Sequence, residues 1–235
     1  MGDLGETPRN SAGNNGSPAV YNRDFWIEQG RANYSKPHYR LEKSARIINR
    51  LARNRGQCTL FDIGCGPAAL ERLLSPNISY YGVDMAIQEP RPNLIENNFI
   101  ESPIWFSDMQ FDFISVQGVF EYLGAHQPRK LAEIAGLLRP GGRALLTYVN
   151  FGHRKPDICA PYTNVQSVAD FRAGVGQYLD IRKFYPTSYN WNHWEPGRAL
   201  LRAANMQVQV NVPLLGPRLA VEYFFICAPL ALSQT

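Results

Sequence analysis

The sequence predicts an α/β fold, with a mostly parallel sheet, a C-terminal antiparallel hairpin, and helices on both faces. Three observations predict it. Between residues 40 and 150, short apolar runs of strand length alternate with runs of helix length. The first strand run ends in a tight Gly64-Cys65-Gly66 turn, and the second is followed at once by Asp84. Finally, Met206–Val212 and Leu219–Ala228 are β-rich and joined by Pro213-Leu-Leu-Gly-Pro217, a link short enough for an antiparallel pair.

The elements follow in order. Residues 1–19 are rich in Gly, Asn, Ser and Pro, so they bury too little apolar surface to offset chain entropy and are expected to form a disordered tail. Residues 20–235 are expected to form one domain. It opens with an N-terminal helical arm (20–55) in which Tyr21, Phe25, Trp26, Tyr34 and Tyr39 precede an amphipathic stretch from His38 to Arg53. Leu41, Ala45, Ile48 and Leu51 recur there at helical spacing. Strands are expected at Cys58–Ile63, Ile78–Val83, Leu94–Glu96, Phe111–Val116 and Arg143–Val149. A helix is expected over Ala68–Leu74, entered directly from the glycine turn, and another over Arg129–Leu138, stopped by Pro140-Gly141-Gly142. Residues 151–196 read as an irregular, aromatic-rich insertion on the substrate side, and Glu195–Ala204 as a further helix.

Bulk properties exclude several classes. The chain has 235 residues, 45% hydrophobic and 19% charged, which is ordinary for a globular protein. Its net charge is a mild +4, from 24 Lys and Arg against 20 Asp and Glu, and the basic residues are dispersed, so no nucleic-acid partner is expected. Cys58, Cys65, Cys159 and Cys227 lie far apart, which disfavours a zinc ribbon or disulfide framework. No metal is expected, because His193 and Glu195 lack a third ligand at suitable spacing. The longest apolar stretch, Leu219–Leu232, is interrupted by Glu222 and Pro229, so no membrane span is expected. No targeting segment is evident, and the expected location is cytoplasmic.

The chemistry starts at the turn. Gly64 and Gly66 remove side chains where the backbone must bend and approach a ligand. The helix expected after them would offer free amides. Asp84, closing the second strand, is placed to accept hydrogen bonds from two ribose hydroxyls. Asp62 stands just before the turn, where a carboxylate repels a pyrophosphate but favours an amino or sulfonium group. Ala69 occupies the position of a third glycine in dinucleotide sites and decides little.

With Phe61-Asp-Ile-Gly-Cys-Gly-Pro67, Tyr81-Gly-Val-Asp84, Phe111-Asp-Phe-Ile-Ser-Val116 and Leu137-Leu-Arg-Pro-Gly-Gly-Arg143 in this order, the sequence resembles the class I S-adenosylmethionine-dependent methyltransferases. The resemblance covers residues 40 to 150 closely. It implies a Rossmann-like seven-stranded sheet and S-adenosylmethionine as cofactor. It further implies that Asp62, Gly64 and Gly66 surround the methionine moiety, that Asp84 holds the ribose and that Met85 packs on the adenine. Asn98-Phe99 stands where the family often has an acidic residue followed by an apolar one, and the Asn98 carbonyl still accepts from the adenine amine. Gln117 falls near the sulfur end. Blander roles stay open: Met85 and Phe99 as core, Gln117 as a helix cap.

Methyl transfer needs alignment and, for a hydroxyl acceptor, a base. After the fifth strand stands His153, the preferred base, with a plain loop histidine as the alternative. After the fourth stand Glu121 and Tyr122, which read equally as a solvent-facing helix residue and a packing aromatic. Phe184-Tyr-Pro-Thr-Ser-Tyr-Asn-Trp-Asn-His-Trp194 alternates rings with amides. Tyr189, Trp191 and His193 within it suit a substrate surface or, alternatively, a satellite aromatic cluster. The expected function is O-methylation of a small-molecule or glycan substrate: a sugar, glycan precursor or secondary metabolite. Rival readings are a non-catalytic methyltransferase-like binding protein, a nicotinamide-dependent oxidoreductase, and nucleic-acid methylation, against which Val116-Gln-Gly-Val119 stands in place of an amino-methylation motif.

Overall fold

The computed structural model describes residues 23–33, 39–104, 108–151, 164–189 and 220–230. Two helices lead in: α1 (Arg23–Asn33) and α2 (Tyr39–Ala52). There follow β1 (Cys58–Ile63), a 3-10 turn (Glu71–Leu73), β2 (Ile78–Asp84), β3 (Leu94–Glu96) and β4 (Phe111–Val116). Two further 3-10 turns (Phe120–Tyr122, Gly124–His126) precede α3 (Gln127–Leu137) and β5 (Leu138–Val149). The rest comprises α4 (Val168–Gly176), β6 (Leu179–Tyr189) and β7 (Ala220–Pro229). The strands form one sheet in the order β3-β2-β1-β4-β5-β7-β6. β1 to β5 pair in parallel, and β7 runs antiparallel to both β5 and β6.

Both faces of the sheet are covered, and the strand sequences show why they read as continuous apolar runs. Along β1, Phe61 and Ile63 point into one core and Cys58 and Leu60 into the other, as a period of two requires. α2 lays Ala45, Ile48 and Ala52 on the second core. β4 breaks the alternation. Phe111 and Phe113 lie in different cores although they share parity, because the register against β5 shifts between them. Gly142 sits at that shift, where a Cβ would meet Arg139 O at 2.9 Å and Asp112 O at 3.1 Å. Asp112 Oδ2 accepts from Thr59 N (2.8 Å) and pairs with Arg139 (3.1 Å), tying β1, β4 and β5 together as a structural residue.

Four expectations need correction. The stretch after the glycine turn is not an α-helix over Ala68–Leu74 but a turn and one 3-10 turn. Ala68 takes φ 54°, and Leu74 is already extended, so too few residues remain to nucleate a helix. The insertion is not irregular throughout: it contains α4 and β6. Ser167 caps α4, accepting from Asp170 N at 3.0 Å and donating to Asp170 Oδ2 at 2.6 Å. The antiparallel partner at the C-terminal edge is β6, so β7 has both edges taken, while 206–212 and 195–204 lie outside the described residues. β5 starts at Leu138, taking Pro140-Gly141-Gly142 into the strand.

Candidate active site

A cleft of about 1030 Å³, counted out to its open mouth, lies at the C-terminal ends of β1, β2 and β4. The sheet order reverses between β1 and β4, and open α/β sheets bind ligands at that switch point. Gly64 (φ 74°) and Gly66 (φ 51°) make the bend after β1. A Cβ on Gly64 would collide with Val119 Cγ2, whereas one on Gly66 would meet nothing within 4 Å. Gly66 therefore opens the cleft and Gly64 closes the turn.

The carboxylates come next. Asp84 Oδ2 accepts from Gly66 N (2.8 Å) and Oδ1 from Ala86 N (3.0 Å). These bonds leave a lone pair on each oxygen, enough for two ribose hydroxyls. Burial raises the Asp84 pKa, opposed by the amides of Gly66, Ala86 and Met85. Asp62 is 3% exposed and accepts from the Tyr80 hydroxyl at 2.9 Å. Burial pushes its pKa to about 7, against the Tyr80 hydrogen bond and the nearby Ser115 hydroxyl, and the neighbouring Asp84 charge adds to the rise. The amides expected at a helix N-terminus are replaced by the turn, whose Gly66 N–H goes to Asp84.

Met85, Phe99 and Gln117 line the cleft, with Asp62, Gly64, Gly66, Asp84 and Tyr122. Gln117 donates its Nε2 to Leu145 O (3.0 Å), while its buried Oε1 has no partner among the described residues. Asn98 is not part of the lining, but its buried Oδ1 is likewise unpartnered. The orphaned acceptor of Gln117, two carboxylates and a bend without side chains suit a ligand rich in hydroxyls, amines and positive charge. S-adenosylmethionine is such a group, and the residues present fit it.

The sequence missed the far wall. α1 contributes Trp26 and Gly30, α2 contributes Arg40 and Leu41, and Gln88, Val119 and Leu123 complete it. Trp26 meets Tyr122 edge-on at 5.1 Å, so Tyr122 both packs and faces the cleft. α1 is fastened by Arg23 to Glu96 (2.7 and 3.0 Å) and by Gln88 Nε2 to Ile27 O (3.2 Å). Only the aromatic run from Tyr21 signalled a covering arm. Arg40 pairs with the buried Glu222 at 2.9 Å and lies 2.5 Å from where a Gly118 Cβ would be.

Glu121 is not solvent-facing. It is 1% exposed and lies behind the cleft wall rather than on it. Its Oε1 accepts from Val149 N (3.0 Å), and its Oε2 has no partner among the described residues. Burial raises its pKa to about 7, opposed by its own amide, Arg40 and Val149, with Glu222 adding to the rise. His153, Trp191 and His193 lie outside the described residues, as does the side chain of Tyr189. Among the described residues no helix is long and apolar enough to cross a membrane.

Known proteins carry the same pattern. A family model described as a methyltransferase domain matches residues 37–185. A S-adenosylmethionine-dependent methyltransferase from Clostridium acetobutylicum superposes with TM-score 0.58 at 10% identity, covering 88% of this chain and 98% of its own. The N-methyltransferase NodS from Bradyrhizobium japonicum, solved with S-adenosyl-L-homocysteine, gives 0.53 at 13% identity, covering 87% and 97%. The [4+2]-cyclase SpnF gives 0.53 at 14%, covering 80% and 81%, so the shared fold does not itself fix a reaction. No curated protein matches the sequence. With a family match over more than half its length and the motif residues gathered in one cleft at the switch point, the chain belongs to the methyltransferase domain family of class I S-adenosylmethionine-dependent enzymes.

Proposed function

We propose that the protein methylates a hydroxyl on a small molecule with a flat or apolar body. The observation that carries this reading is the wall facing the glycine turn: Trp26, Leu41, Val119, Tyr122 and Leu123, with Arg40 the charged group among them. Such a wall suits an apolar scaffold better than a sugar. The polar-aromatic segment that suggested a sugar contributes Phe184, stacked on Tyr223 at 4.9 Å, and Tyr185, stacked on Phe224. Both rings pack within the sheet. A secondary metabolite is the favoured acceptor class, ahead of a glycan precursor.

The bound cofactor supplies an already activated methyl group, so the chain's own task is chiefly alignment. Asp84 orients the ribose, and Asp62 with Gln117 Oε1 receives the amino end. Gly66 leaves the backbone bare toward the cleft, and Gly118 leaves room for the Arg40 guanidinium. Trp26 and Tyr122 exclude water and hold the acceptor's flat face. His153 is the proposed base for the hydroxyl proton. Glu121 holds the end of β5 through Val149 N and acts as a positioning residue.

The test is formation of S-adenosyl-L-homocysteine from S-adenosylmethionine against three sets of acceptors: hydroxylated flat apolar compounds, sugars and amines. Turnover is expected with the first set. Turnover confined to amines or sugars contradicts the proposal, as does cofactor binding without turnover in any set.

A further inference from the structure

The adenine-side wall is a loop, residues 97–104, which places Phe99 and Ile100 in the cleft and holds the unpartnered Asn98 Oδ1. This loop makes few bonds of its own: Phe99 N to Asn97 O, Glu101 N and Ser102 N to Asn98 O, and Asn97 Nδ2 to Pro103 O. Beside the bond from Asn97 N to Asp84 O (2.9 Å) and the burial of Phe99, Ile100 and Ile104 in the core, its backbone is held from one turn of α3. Arg129 Nη2 donates to Ile100 O (2.8 Å) and Glu101 O (2.9 Å). Lys130 Nζ donates to Ser102 O (2.6 Å), and Glu133 Oε2 accepts from Ile104 N (2.9 Å). Lys130 and Glu133 are also bonded to each other at 2.9 and 3.0 Å. Ile100, Glu101, Ser102 and Ile104 are thus each held at the backbone by a charged side chain.

Lys130 is 0% exposed, and burying an ammonium costs free energy that an apolar residue would avoid. Packing alone would be served by leucine or methionine. The ammonium instead grips a carbonyl in the connection that leaves β3 and walls the cleft. We propose that Arg129, Lys130 and Glu133 form a clamp that holds the loop in its binding-competent shape and thereby sets cofactor affinity from outside the cleft. The three are positioning residues: none lines the cleft. Holding the loop before binding removes its ordering entropy from the binding step. The inference rests on the cofactor reading above.

The test uses S-adenosyl-L-homocysteine as probe and the full chain, by isothermal titration well below the melting temperature and by hydrogen exchange of the free protein. Lys130→Met is expected to weaken binding at least about tenfold and to speed exchange at amides 99–104, with the β1 and β4 amides unchanged. Lys130→Arg, which can still donate to Ser102 O, is expected to restore most of the affinity. Should Lys130→Met fail to fold, Glu133→Gln, which keeps an acceptor for Ile104 N but removes the charge, is expected to show the same pattern more weakly. A lowered melting temperature with unchanged affinity and unchanged local exchange overturns the clamp. Failure of the wild-type protein to bind the probe overturns the cofactor reading itself, and the clamp with it.

Discussion

Replacing Glu121 by glutamine isolates the cost of a buried charge. In the folded protein this carboxyl titrates near 7 rather than near its ordinary value of 4.5, chiefly because it is buried. A raised carboxyl pKa means that the folded state binds the proton more tightly than the unfolded state. Its stability contribution is therefore fully present below the unfolded pKa and is lost as pH rises through about 7. A difference of roughly 2.5 pKa units corresponds to about 3 kcal/mol in total, of which about 2 kcal/mol is lost between about pH 5.5 and 8.5. Glutamine keeps an oxygen for Val149 N and has no proton to lose. Urea unfolding of both proteins across that range is the assay. Glu121→Gln is expected to gain on the wild type as pH rises, with a flatter stability profile. A gap that does not change with pH refutes the reasoning, since burial would then not be penalising the charge.

Gly64→Ala places a methyl against Val119 Cγ2 at a φ of 74°, and should lower stability by about 1–3 kcal/mol and abolish cofactor binding; an unchanged melting curve contradicts this. Asp62 becomes charged only as pH rises through about 7, so affinity for S-adenosyl-L-homocysteine should rise about tenfold between about pH 6 and 8. Asp62→Asn should bind weakly and lose that pH dependence, which titration calorimetry reads directly. His153→Ala should cut kcat by roughly 10²-fold or more while leaving cofactor affinity unchanged, and a wild-type pH–rate profile would remove His153 from the mechanism.

Where β1 to β4 lie was legible because buried parallel strands are nearly pure apolar runs with sharp ends. Cys58–Ile63 and Phe111–Val116 match the expectation residue for residue. β6 was hidden by Pro186, which argues against a central strand but is tolerated here because β6 is the sheet edge. α4 was hidden by its length, although Ser167-Val-Ala-Asp170 is a capping signal that could have revealed it. The helix wrongly expected after Gly66 fails on the left-handed backbone of Ala68, which composition does not announce. In the site, Asp62, Asp84 and the glycines were legible from spacing to a strand end. Arg40 and Trp26 were not, because long-range packing of α1 and α2 brings them there, with the buried Glu222 of β7 paired to Arg40. Glu121 read as solvent-facing because a charged residue in a short turn usually is; only the fold reveals its burial beneath β5.

The most direct measurement is calorimetric titration of S-adenosyl-L-homocysteine into the wild-type protein and Asp84→Ala, with folding of both verified by circular dichroism. The account predicts binding with Kd on the order of micromolar for the wild type and none measurable for the variant. Equal affinity in the two proteins would contradict it.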